Sequence, residues 1–478
     1  MIKGRKSSVA LVIKFIGVLS LFFLVVSYTV DLAFRYPSAP GGDLYNHYLF
    51  IVDLQKYGLS HFFTSYPRLF HLIVLLGMKV TDLPALKVML YLVPIVLLGV
   101  ALAAAWVAYL LAGEWAALLA FLILLFVSGQ PLQTLYDGGF PNVIAAGIWL
   151  PLWVGSTSLY LSHRNWKWLG ASLLFALLTL ATHHFSLAYL LVLFLLLVLR
   201  YGWRQWYYWL ALILIGGALI WTPLGQPFKA ILNGVASFGG AFPWIHLVGK
   251  LANSDAIWRY ADYAVGIGSL QVYLGLAGLI VLAIWMSSRK KDSVLPYLVF
   301  CWIVLLLIGS RIEALGFPVR VARDAGVPLA ISAAVFIMVL WRMCKSLAAR
   351  VGIVALCIAL TLPQTIGRFY RLLHYEPTMQ YTTADQEAVD RTGDAPTVVL
   401  NQLLPTTIRS SITTVNPMIH TAVGQENLRT DLADAEYVFF DIPNGDPDDY
   451  SRWLESNGFQ LLVIYGDPLK TVHLFQRK

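Results

Sequence analysis

The chain has 478 residues, 58% hydrophobic and only 13% charged, whereas roughly a quarter of a soluble domain is charged; most of it is therefore solvated by lipid, and a soluble enzyme is excluded. The charge is divided: residues 1–374 hold 27 Lys and Arg against 11 Asp and Glu, and residues 375–478 hold 7 against 15. The basic surplus reads as loop charge that orients spans, and no nucleic-acid partner is expected.

Lys3, Arg5 and Lys6 precede the apolar run 9–30, which is too long for a signal-peptide core and is followed by no small-residue cleavage site. It is read as an uncleaved first span with a cytoplasmic N-terminus. The loop 31–68 follows, outside, and places Asp43, His47 and Asp53 within eleven residues. Gly41 and Gly42 free the backbone to present Asp43, and a helical pattern starts at Leu44, so that Asp43 and His47 share a face. Asp43 has a bland account as the cap of that helix, and Asp53 one as a solvated side chain.

Further apolar runs cover 69–80, 85–112, 116–127, 143–161, 168–181, 187–199, 206–222, 267–285, 294–308, 327–341 and 351–362. Several are shorter than the ~20 residues that cross a bilayer upright. Basic clusters at 163–167, 200–204, 289–291 and 342–350 fall in every second loop, which puts those loops in the cytoplasm and the alternate ones outside. Both the loop 31–68 and the turn 136–142 then lie outside, yet three runs separate them. Either 69–80 or 116–127 must fail to cross, and the expectation is about 11 transmembrane helices. Cys301, Cys344 and Cys357 lie in or beside apolar runs and read as small hydrophobes.

Three more outer features contain ionisable groups: TLYDGGFPN with Asp137, ATHHFS with His183 and His184, and SRIEALGFPVRVARDAG with Arg320, Arg323 and Asp324. Each alone is accounted for by headgroup or water contacts; their convergence on one side is the stronger signal. A carboxylate near Arg and His at an outer face suits deprotonation of a hydroxyl while cations hold a phosphate leaving group. The tail 375–478 alternates strand-like runs (397–400, 437–441, 461–465, 472–475) with helical ones (383–391, 446–456), an α/β pattern. It has no phosphate loop, metal-ligand spacing or nucleophile elbow.

The early Asp of GGDLYNH, the YPRLFH entry to a short apolar run, the acidic turn YDGGFPN, the many spans and an outer α/β tail together resemble the membrane-embedded GT-C glycosyltransferases. The resemblance implies a polytopic helical domain (1–374) with its catalytic loop at 31–68, an extracytoplasmic α/β domain (375–478), and a multi-pass place in the cell membrane. It implies sugar transfer from a polyprenyl-phosphate or diphosphate donor to a lipid, glycan or protein acceptor. Asp43 then matches the family's base or metal ligand, Asp137 the acidic residue of its second outer loop, and Arg320 or Arg323 the cation on the carrier phosphate. His183 and His184 join that phosphate site, with His47, Asp53 and Asp137 secondary or on the acceptor side. The family's acidic pair separated by one residue is absent, since Leu44 and Tyr45 follow Asp43. The preferred reading is therefore metal-independent and inverting with Asp43 as general base and no cofactor, a divalent metal at Asp43 and Asp137 staying open. The competing readings are a transporter or flippase for a lipid-linked or anionic substrate, and a non-catalytic sensor. Against the transporter stand the lack of an internal repeat and of paired broken spans.

Overall fold

The computed structural model describes residues 44–58, 66–136, 138–202, 267–287, 293–311, 318–346, 348–353, 355–356, 382–400, 412–414, 426, 428–430, 432–440, 447–466 and 471–478. The expected spans 9–30 and 206–222 lie outside these residues, as does part of 351–362. Helices form where the apolar runs demanded: α1 (Leu44–Tyr57), α2 (Leu69–Thr81), α3 (Ala85–Ala112), α4 (Glu114–Val127), α5 (Phe140–His163), α6 (Trp166–Thr182), α7 (His184–Gly202), α8 (Ser269–Ser287), α9 (Val294–Gly309) and α10 (Arg320–Met343). Among the described residues, five of these (α3, α5, α7, α8 and α10) are long and apolar enough to cross a membrane. The full number of spans therefore stays an expectation.

Close backbone approach, rather than large side chains, sets the packing. A Cβ added to Gly147 would lie 2.8 Å from Val100, and one added to Gly155 would lie 2.4 Å from Trp106, so α5 runs against α3 and parallel to it. In the same way Gly275 and Gly278 of α8 meet Leu329 and Ser332 of α10, where a Cβ at Gly278 would sit 2.1 Å from the Ser332 carbonyl oxygen. Ser332 Oγ donates to Gly275 O at 2.8 Å and Gln271 Nε2 to Gly326 O at 2.6 Å, which fixes the register of this second parallel pair.

These contacts sort the helix ends into two groups. Arg342 donates to the last carbonyl of α3, Ala112 O, at 3.0 Å, and Arg200 donates to Met286 O, so the ends of α3, α7, α8 and α10 lie together. Arg200 and Arg342, from two of the basic clusters expected to share a side, do so at this far end, where cations also suit helix C-termini. The starts of α3, α5, α7, α8 and α10 form the near end. Here α2 begins with Phe70 stacked on Phe140 at 5.2 Å, and its Gly77 lies against Val88 in the first turn of α3. Both ends of α2 thus stay near. By contrast α4 starts at Gly113, whose φ of 90° turns the chain at the far end, and finishes where Gly129 N donates to Ile267 O at 3.1 Å, near the start of α8. The run 69–80 thus keeps both its ends at the near end, whereas 116–127 reaches from the far end to the near one.

The tail is a mixed sheet in the order β2-β1-β3-β5-β4, with β1 (Thr397–Val399), β2 (Ile412–Thr414), β3 (Tyr437–Phe440), β4 (Phe459–Gly466) and β5 (Thr471–Arg477). Strands β2, β1 and β3 are parallel; β5 is antiparallel to β3 and to β4. Strand alternation sends Val399, Phe439 and Leu474 to one face, against Ala384 and Ala388 of α11 (Thr383–Thr392). Val398, Val438 and Phe475 go to the other, against Tyr450 and Leu454 of α12 (Pro447–Ser456). The expected α/β pattern is met, and β2 is a strand the sequence reading did not anticipate.

Candidate functional site at the near end of the helices

Helix α1 is amphipathic, with Leu44, His47, Ile51 and Leu54 buried at a spacing of three and four. That spacing turns His47 inward, where its Nδ1 lies 3.0 Å from His71 Nε2 of α2. In that hydrogen bond one ring donates its N–H and the other accepts. Phe50, also on α1, stacks on Tyr66 at 5.3 Å. Tyr66 in turn touches the junction of α6 and α7, its ring centroid 6.1 Å from His183 and 5.4 Å from His184. The two histidine rings lie 4.9 Å apart, and His183 Nδ1 is 3.3 Å from Ser186 Oγ in the first turn of α7.

Arg68, at the entry to α2, is 3% exposed. Its Nη2 donates to Asp53 Oδ2 at 3.1 Å, and its guanidinium lies 4.8 Å from the Phe50 ring. Its Nε and Nη1 are buried and have no hydrogen-bond partner among the described residues; the same holds for Nδ1 of His184. Buried donors left unmade cost about 1–3 kcal/mol each, so an acceptor arriving at this place gains that much before any other contact. Opposite, Asp324 near the start of α10 accepts from Asn142 Nδ2 at 2.7 Å on Oδ1 and from Tyr189 OH at 3.0 Å on Oδ2. Arg320 is within electrostatic reach of His183, His184 and Asp324.

Of the residues singled out in the sequence, the fold brings together His47, His183, His184 and Arg320, with Arg323 within electrostatic range of Asp324. Asp53 remains 42% exposed and is held by Arg68. Asp43 and Asp137 lie outside the described residues, Asp43 directly before the first residue of α1. Among the described residues, which do not include Asp43 and Asp137, no group of three or more His, Cys, Asp or Glu is arranged to hold a metal ion. The sequence reading missed Tyr66, Arg68, His71, Asn142 and Tyr189. Arg68 and His71 had a signal, two basic side chains opening an apolar run in YPRLFH. Tyr189, inside the run that became α7, had none.

What the arrangement offers is a cluster of buried guanidinium and imidazole groups among aromatic rings at the helix ends, a chemistry suited to an anion. No family model matches the chain, and no curated protein sequence matches it. Solved structures do. ArnT from Cupriavidus metallidurans bound to undecaprenyl phosphate aligns with a TM-score of 0.57 at 14% identity, over 96% of this chain and 97% of that one. The oligosaccharyltransferase of Archaeoglobus fulgidus in its apo form aligns with a TM-score of 0.53 at 13% identity, over 88% and 69%. The same archaeal enzyme, AglB, in complex with an inhibitory peptide and a dolichol-phosphate gives 0.51 at 13%, again over 88% and 69%. The chain thus has the fold of the ArnT and archaeal oligosaccharyltransferase structures, the likeness of fold that the sequence resemblance led us to expect.

Proposed function

We propose that this chain is a membrane glycosyltransferase that moves a sugar from a polyprenyl-phosphate or diphosphate carrier to an extracytoplasmic lipid, glycan or protein acceptor. The observation that carries the reading is the buried Arg68 guanidinium, two of whose nitrogens have no hydrogen-bond partner among the described residues, placed among His47, His71 and Tyr66 at the near end of a fold shared with ArnT and the archaeal oligosaccharyltransferase. Two of its structural neighbours hold a polyprenyl phosphate, undecaprenyl in ArnT and dolichol in AglB. In the proposed reaction the acceptor hydroxyl oxygen attacks the anomeric carbon and its proton passes to Asp43. The bond from that carbon to the phosphate oxygen breaks, and the carrier phosphate leaves with the electron pair, neutralised by Arg68, Arg320 and Arg323 with His183 and His184 beside them. Inversion follows from a single displacement. The positive-inside rule puts the far end, with its basic loops, in the cytoplasm and the site outside.

Asp43→Asn tests the base. An amide keeps the shape and still caps a helix but cannot take the proton, so transfer should be abolished with expression and carrier binding close to normal. An active Asp43→Asn enzyme, with only Asp43→Ala unstable, would reduce the residue to a cap.

A further inference from the structure

Asp324 is a carboxylate buried at the start of a membrane helix, a position that is costly to ionise and that a neutral side chain would occupy without that cost. Its partners come from two other helices far away in sequence, Asn142 from the first turn of α5 and Tyr189 from α7. If tying α5, α7 and α10 together were its whole task, an amide would do equally well, because Oδ1 would still accept from Asn142 and Nδ2 would donate to Tyr189 Oη. What an amide lacks is the charge. Four residues earlier on the same helix, and so on the same face, stands Arg320. Tyr189 lies little more than one turn beyond His184, so the helix that Asp324 grips is the one that presents the histidine pair.

We propose that Asp324 is a positioning residue for the carrier-phosphate site: clamped by Asn142 and Tyr189, its carboxylate holds the Arg320 guanidinium toward the His183–His184 pair. It touches no substrate and acts through Arg320. The inference rests on the reading of Arg320 as a phosphate ligand.

The test is a double-mutant cycle on the full-length chain in detergent, titrated with undecaprenyl phosphate and followed by thermal unfolding, for wild type, Asp324→Asn, Arg320→Gln and the double variant. Asp324→Asn should unfold near the wild-type temperature and bind about tenfold more weakly, and the double variant should bind no more weakly than Arg320→Gln alone, because residues that act as one unit are not additive. Unchanged affinity in Asp324→Asn, or losses that simply add, would overturn the proposal and leave the donor reading standing. Absence of binding by the wild-type chain would remove the donor reading and this inference with it. Should Asp324→Asn fail to fold, the double variant decides. Recovery of folding when Arg320 is also neutralised is the coupling expected of the pair; a double variant that still fails shows that Asp324 serves the fold independently of Arg320.

Discussion

At the residue scale the most informative side chain is Arg68, a guanidinium with one hydrogen-bond partner among the described residues where its geometry serves several. Its ion pair with the half-exposed Asp53 belongs to the class worth about 0–1 kcal/mol, too little to account for burying the charge. A bound phosphate would account for it. Arg68→Lys keeps the charge but loses the planar fork, and donor affinity measured by titration should fall about tenfold, or ~1.4 kcal/mol. Asp53→Asn should stay within about threefold, since the phosphate and not Asp53 is then the principal counter-ion. Equal losses in both variants would make the Asp53 ion pair the reason Arg68 is present. Arg320→Lys and Arg323→Lys extend the comparison to α10: with a synthetic polyprenyl-phosphate donor, at least one should lose about tenfold in affinity or rate. Near-normal kinetics for both would assign them to lipid headgroups, where lysine serves as well.

At the scale of elements, the paired helices α8 and α10 hold the site's cations in place through glycine. Gly278 admits no side chain, its would-be Cβ lying 2.1 Å from a backbone oxygen of α10, whereas Gly170 on α6 has nothing within 4 Å. Gly278→Leu must push the two backbones apart and should cost at least the ~1–3 kcal/mol of overpacking, read as a drop of several degrees in the unfolding midpoint in detergent. Gly170→Leu should be tolerated. In the tail, α11 starts at a capping box that was present in the residues alone: Thr382 N donates to Asp385 Oδ2 at 2.7 Å, and the Thr382 side chain meets the backbone of the same turn. Such boundaries were legible because local chemistry decides them.

At the scale of the whole molecule the helix ends fall into a near group with the site and a far group with the basic loops. A reporter fused after Lys478 should be active outside the cytoplasm, as the alternating basic clusters require. The course of α2 yields a sharper test. Asp82, in the exposed turn between α2 and α3, lies at the near end, so Asp82→Cys should react with a membrane-impermeant thiol reagent added outside intact cells. Reaction only after permeabilisation would mean that α2 crosses after all.

The sequence by itself determined that most of the chain is apolar and its tail is not, and the bounds of most described helices and strands. Apolar runs, strand alternation, capping residues and basic clusters act over one turn or one loop and need no distant partner. It left open whether 69–80 or 116–127 fails to cross, because both are apolar runs of similar length; contacts of Gly77 with Val88 and of Gly129 with Ile267 keep both ends of the first at the near end and carry the second from one end to the other. It gave no sign of Tyr189 or Asn142, which read as an ordinary span aromatic and a turn amide until Asp324 is placed between them. It presented Arg68 only as the start of an apolar run. Those roles arise from pairings across 15 to 182 positions, His47 with His71, Arg68 with Asp53 and Asn142 with Asp324, and hydrogen bonds of that span exist only once the helix ends have been brought together.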